Sequence, residues 1–128
     1  MRIWKVVSKR ENNLYSYAAR NKALVQYKIG KWVQAPKWLK EKGYYLTAFI
    51  TYEQAFNFIP SRATRLAIYR AKAKGIIKEL PHIYSVNYLS SMGGFGEFVH
   101  PEDRVWPLGT IMCKKIKLIK EIKWQKDV

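Results

Sequence analysis

Acidic side chains are scarce in this chain: nine Asp and Glu stand against 24 Lys and Arg, for a net charge of +15. So few carboxylates leave little material for paired acid–base chemistry and few internal partners for the cations. The excess is not a tail, since residues 1–64 carry 12 basic and 3 acidic groups and residues 65–128 carry 12 and 6. Cysteine occurs once, at Cys113, which excludes an intramolecular disulfide; with only two histidines beside it, the chain is also a poor source of ligands for a structural zinc site. No apolar run approaches the roughly 18 residues that a membrane-spanning helix needs. The opening MRIWKVVSKR lacks the apolar core and cleavage site of a secretory signal. Repeats and low-complexity runs are missing too. One domain over residues 1–128 is expected, cytoplasmic (in the host cell if the protein is viral) and without a membrane partner.

What is present is apolar and aromatic: 48% hydrophobic residues and 15% aromatics, enough for a packed core. RIWKVVSK alternates as a strand, with Trp4 and Val6 on one face; ENN at 11–13 signals a turn, and LYSYAAR resumes an extended run. ALVQYKIG places Val25, Tyr27 and Ile29 on one face of a half-buried strand ending at Gly30. One helical turn is expected at Lys37–Lys42, and a strand in YYLTAFI. In TYEQAFNFIP, Thr51 and Gln54 have the spacing of a capping box and Pro60 is a stop, which predicts a short helix with Ala55, Phe56 and Ile59 on one side. RLAIYRAKAKGII suits helix or strand; its alternation favours strand. TIMCKKIKLIKEIKW closes the chain as a strand whose apolar phase changes near Lys114–Lys115, as a bulge would allow. The fold class expected is α+β, a mainly antiparallel sheet packed with one or two short helices. A long irregular loop is expected at about 80–109, where Pro81, Pro101, Pro107 and a glycine cluster fall.

That loop contains SSMGGFGEFVHPEDR, residues 90–104. Gly93, Gly94 and Gly96 lead to Glu97 rather than to the Lys-Ser/Thr of a Walker loop, and Val99 stands where a dinucleotide fingerprint needs its third glycine. His100-Pro101-Glu102 has the His-x-Glu spacing of zinc deaminases but lacks their Pro-Cys-x-x-Cys. Ser90 or Ser91, His100 and Asp103 are the residue types of a hydrolase triad without a nucleophile elbow. These tests point away from an enzyme and imply no cofactor and no metal.

The stronger pattern interleaves aromatics with bases: YKIGKW (Tyr27, Lys28, Lys31, Trp32), PKWLKEKGYY, and SRATRLAIYR (Arg62, Arg65, Tyr69, Arg70). Stacking combined with ionic pairing holds bases and phosphates without a sequence code. A plainer reading makes Tyr27, Trp32 and Phe49 core residues flanked by solvated lysines. In the same way, most of the C-terminal lysines (114, 115, 117, 120, 123 and 126) would form a solvated basic face.

Tyr27-Lys28-x-Gly30-x-Trp32, then Ala35-Pro36, Gly43 before an apolar strand, a short helix after FIT and the closing KKIKLIKEIK resemble small proteins encoded by phages, archaeal viruses and prophages. The resemblance covers residues 4–78 and 109–123. It implies a viral protein, and small viral proteins of this size include defence antagonists, among them sponges that sequester cyclic ADP-ribose-type signals without catalysis. The expectation is a non-enzymatic binder of a phosphate-bearing ligand, most sharply a sponge for a nucleotide immune signal. Arg62, Arg65, Arg70 and Arg104 would hold phosphates, Tyr88 and Phe95 would stack on the base, and Gly93, Gly94 and Gly96 would hinge a mobile lid. The partner would be an anionic nucleotide or nucleic acid, and a homo-oligomer is compatible with this. Two alternatives stand beside it: a basic nucleic-acid-binding protein, and an antagonist docking on an acidic host protein through Trp4, Trp38, Trp106 and Trp124.

Overall fold

A computed structural model describes residues 2–17, 24–59, 65–77, 80 and 109–123. Within them the chain forms an α+β fold with a seven-stranded antiparallel sheet: β1 (Arg2–Arg10), β2 (Asn13–Ser16), β3 (Gln26–Tyr27), β4 (Trp32–Val33), α1 (Lys37–Glu41), β5 (Leu46–Phe49), α2 (Tyr52–Phe58), β6 (Leu66–Ile77) and β7 (Thr110–Ile122). The ambiguous segment after residue 64 is a strand. Its alternation wins because β1 on one side and β7 on the other offer hydrogen-bonding partners.

The sheet curls back on itself. β1 pairs with both β6 and β5, and β7 also pairs with both β6 and β5, so these four strands close a ring. Closure removes most of the exposed edge and creates an inside. Ile3, Val7, Ala67, Tyr69, Ala71, Cys113, Ile116 and Leu118 pack there with Tyr27, Leu46 and Leu39 of α1. On the outer side, α2 lies over Val6, Phe49 and Ile68 through Ala55 and Ile59, and Trp4, Tyr17, Phe56 and Phe58 join this second cluster.

α2 is held by the capping box its sequence predicts: Gln54 N–H donates to Thr51 Oγ1 at 3.2 Å, and Thr51 N–H donates to Gln54 Oε1 at 3.3 Å. Two local expectations shift. Ile29 is 57% exposed, because the chain turns before it could continue β3, and Gly30 N–H donates to the Leu118 carbonyl at 2.8 Å. The register irregularity of β7 falls opposite Arg70/Ala71, not near Lys114–Lys115. The apolar phase does change at the latter, but without a register shift: Cys113 and Ile116, three residues apart, pack in the same cluster, and Gly75, with φ 68°, lies against Lys114. The expected loop at about 80–109 lies almost wholly outside the described residues, and no described helix is long and apolar enough to cross a membrane.

Candidate phosphate-binding face

Register builds the site. Residues directly opposite each other in an antiparallel sheet lie on the same face. Arg2 is opposite Lys72, Lys72 is opposite Lys117, and Lys117 is opposite Trp32, so one row crosses β1, β6, β7 and β4. Lys74 and Lys115 form a pair on one side of that row, and Arg70 and Lys120 a pair on the other, with Trp4 next to Arg70. Seven cations share this outer face, spaced about 4.8 Å between strands and roughly 6.7 Å along them. Lys72, Lys74 and Lys120 are exposed, while Arg70, Lys115 and Lys117 are half-buried, their stems lying along the sheet.

No described carboxylate shares the face. The described acids are Glu11 in the β1–β2 turn, Glu41 in α1, Glu53 in α2 and Glu121 on β7. Glu121 is opposite Tyr69, on the inward-facing set, where Lys9 Nζ lies 2.8 Å from its Oε1. Trp32 does for the outer lysines what an acid would do elsewhere. Lys74 Nζ lies 4.4 Å and Lys117 Nζ 4.9 Å from the indole centroid. A ring seats an ammonium without cancelling its charge, so the positive potential stays available to an incoming anion.

The inside of the ring also holds a cation, with a different chemistry. Lys5, 5% exposed, donates from Nζ to the Thr47 carbonyl at 2.5 Å and to Thr47 Oγ1 at 3.4 Å, and sits 5.6 Å from the Tyr27 ring centroid. Burial lowers its pKa to about 8, opposed by the nearby Cys113. Burial likewise raises the Cys113 thiol to about 11, which the Lys5 charge only partly offsets, and pushes the Tyr27 phenol far above its ordinary range. Tyr27 Oη has no hydrogen-bond partner among the described residues. At neutral pH Lys5 is therefore an ammonium beside the neutral Cys113 thiol and the neutral Tyr27 phenol.

Of the arginines expected to hold phosphates, Arg65 and Arg70 are described. Arg65 is exposed in the left-handed region (φ 64°) just before β6, and its carbonyl accepts the Lys9 N–H at 2.6 Å. Arg70 lies five residues further on, roughly 16 Å along the strand. The sheet joins Arg70 to the lysine face and leaves Arg65 at the far end of β6. Arg62, Arg104, Tyr88, Phe95, Gly93, Gly94 and Gly96 lie outside the described residues, as do Trp106 and Trp124. Trp4 and Trp38 are half-buried, packed against the outer and inner clusters respectively. Tyr27 and Phe49 are core residues, as the plainer sequence reading has them, whereas Trp32 belongs to the cationic face.

Sequence reasoning did not single out Arg2, Lys72 or Lys74. Their signal is the pattern Ala71-Lys72-Ala73-Lys74 against Lys115-Ile116-Lys117-Leu118, which puts every lysine on one side once both segments are strands. No protein family matches this chain, and no curated protein or solved structure proved similar to it, so the charge and spacing of this face are the basis for assigning it.

Proposed function

We propose that this protein is a non-catalytic binder of phosphate-bearing ligands and that its contact surface is the outer face of β1, β6, β7 and β4. The observation that carries this is the gathering of Arg2, Arg70, Lys72, Lys74, Lys115, Lys117 and Lys120 on one sheet face that no described carboxylate shares. A carboxylate on the face would pair with neighbouring cations and silence them, and none of the four described acids lies there. Here Trp32 seats two of them in place of an acid. Like charges this close raise the potential over the face and draw anions to it.

The extent of the face favours a polymer over a single nucleotide. Its rows span four strands, more than one nucleotide's phosphates can occupy together. A nucleic acid is therefore the ligand put forward. The narrower reading, a viral sponge for a nucleotide immune signal, also uses Arg70 and differs in needing a closed pocket around one molecule.

Binding of a fluorescein-labelled, mixed-sequence 20-nucleotide oligomer, followed by anisotropy at several salt concentrations, tests the reading. Affinity should fall steeply with salt, as counterion release requires. Lys72→Glu/Lys117→Glu should lose at least tenfold, while Lys37→Glu/Lys40→Glu on α1, with the same change in net charge, should lose far less. Equal losses would show that net charge alone, and not this face, holds the ligand. Native mass spectrometry of the purified protein separates the sponge: a discrete, salt-resistant nucleotide mass would support it over the polymer.

A further inference from the structure

Resting on that reading, we infer that the face takes single-stranded rather than duplex nucleic acid, with the chain crossing the strands along Arg2, Lys72 and Lys117 and one base stacked at Trp32.

Three features of the face lead there. The cations form a compact patch, with neighbours about 4.8 Å apart across the strands and roughly 6.7 Å along them. A flexible single strand can fold its consecutive phosphates onto such a grid. A duplex presents its phosphates as two ridges separated by grooves about 6 and 12 Å wide, so a sheet face meets one ridge and leaves most of these cations without a partner. Nor does a described helix project from this face to enter a groove: α2 lies over the apolar end of the outer side, and α1 packs through Leu39 against the inner cluster.

The second feature is Trp32. It is half-buried, lies at the end of the row and shares the face with its lysines. An indole offers a stacking surface only to a base that is not already stacked and paired in a duplex. The third is the link between this ring and the charges. Lys74 Nζ and Lys117 Nζ lie 4.4 and 4.9 Å from the indole centroid, so a phosphate held by either ammonium and a base resting on the ring can belong to the same nucleotide. On binding, the phosphate takes over the ammonium groups and the base takes over the ring.

The test compares fluorescein-labelled dT20 and rU20 with a 20-base-pair duplex at one salt concentration, using the intact protein, Trp32→Leu and Trp32→Phe. Leu keeps the apolar cover of the lysine stems but has no π face, and Phe restores one; melting curves confirm that all three proteins are folded. The expected result is tighter binding of both single strands than of the duplex. Trp32→Leu should cost about tenfold on the single strands, the size of one stacked base, and less than about twofold on the duplex, with Trp32→Phe recovering most of the loss. Duplex binding as tight as single-strand binding, or equal losses on both in Trp32→Leu, would overturn the inference and leave the phosphate-binding face standing. Binding of neither kind of probe would overturn both.

Discussion

The two faces of the β1–β6–β7 sheet each place lysine against an aromatic ring, with opposite consequences. Inside, Lys5 lies over Tyr27 and is almost wholly removed from water; outside, Lys74 and Lys117 lie over Trp32 at the protein surface. Burial taxes the inner ammonium, lowering its pKa to about 8, a shift worth ~3 kcal/mol against the charged form. The outer ammonium groups keep their solvent and their reach. Position relative to the closed sheet, rather than residue type, separates a cation that constrains the fold from cations that can meet a ligand.

Reversing the charge on each side is the sharpest way to break this comparison. Lys5→Glu would bury a carboxylate against the Thr47 carbonyl with no cation to pair it, and should cost about 4–5 kcal/mol or abolish folding, read by urea denaturation. Lys5→Met should leave stability at pH 7 within about 1 kcal/mol of the parent or raise it, since the buried charge goes and the stem volume stays. A large loss in Lys5→Met would mean that the Thr47 hydrogen bond outweighs the desolvation cost.

Next in size is a change outside the polar interior. Gly109 has φ +84°, and a Cβ there would overlap the Gln54 side chain that closes the capping box of α2. Gly109→Ala should cost about 2 kcal/mol in chemical denaturation, combining backbone strain with the lost cap. The accompanying Gly109→Ala/Gln54→Ala variant should show less than additive loss, because the clash is removed with the amide.

A smaller effect follows from pH. The unfolded chain keeps its lysine proton up to about pH 10.5 whereas folded Lys5 releases it near 8, so stability should climb as pH rises from about 8. Cys113 acts in the other direction: its thiol ionises in the unfolded chain near 9 but only near 11 when folded, so stability is lost across that window. The raised Tyr27 phenol adds to the loss at the alkaline end. The sum is a gain of about 1 kcal/mol from pH 7 to 9, then a plateau and a decline, measurable as urea midpoints across that range. Lys5→Met should erase the rise.

The smallest change is expected on the outer face. Lys72→Glu should move stability by less than about 0.5 kcal/mol while weakening oligonucleotide binding, since Lys72 is exposed and opposite two other cations, Arg2 and Lys117. A loss as large as that of Lys5→Glu would make the two faces energetically alike and end the comparison.

Much of the fold was readable from local chemistry. Thr51 and Gln54 mark the start of α2 because the capping box is made by side chains three residues apart. ENN marks the β1–β2 turn, and alternation marks β6 and β7. Alternation misled at β3, where Ile29 looked inward: a turn closed by Leu118, nearly ninety residues away, decides its exposure. In β1 the pattern placed Trp4 and Val6 on one apolar face, and this is so. It could not say that the opposite set, Ile3, Lys5 and Val7, is buried as well, because one face is covered by α2 and the other by ring closure.

The candidate site divides in the same way. A C-terminal run of alternating lysines and apolar residues already implies a basic strand face, and the shortage of acids already leaves most cations without an internal counter-charge, since both depend only on composition and the two-residue period of a strand. Which cations stand together is a matter of register, and register is set by pairing among strands that are far apart in the chain. Only that pairing brings Arg2, Trp32 and Lys72 beside Lys117, and only closure of the sheet sends Lys5, from the same strand as Arg2, into the core.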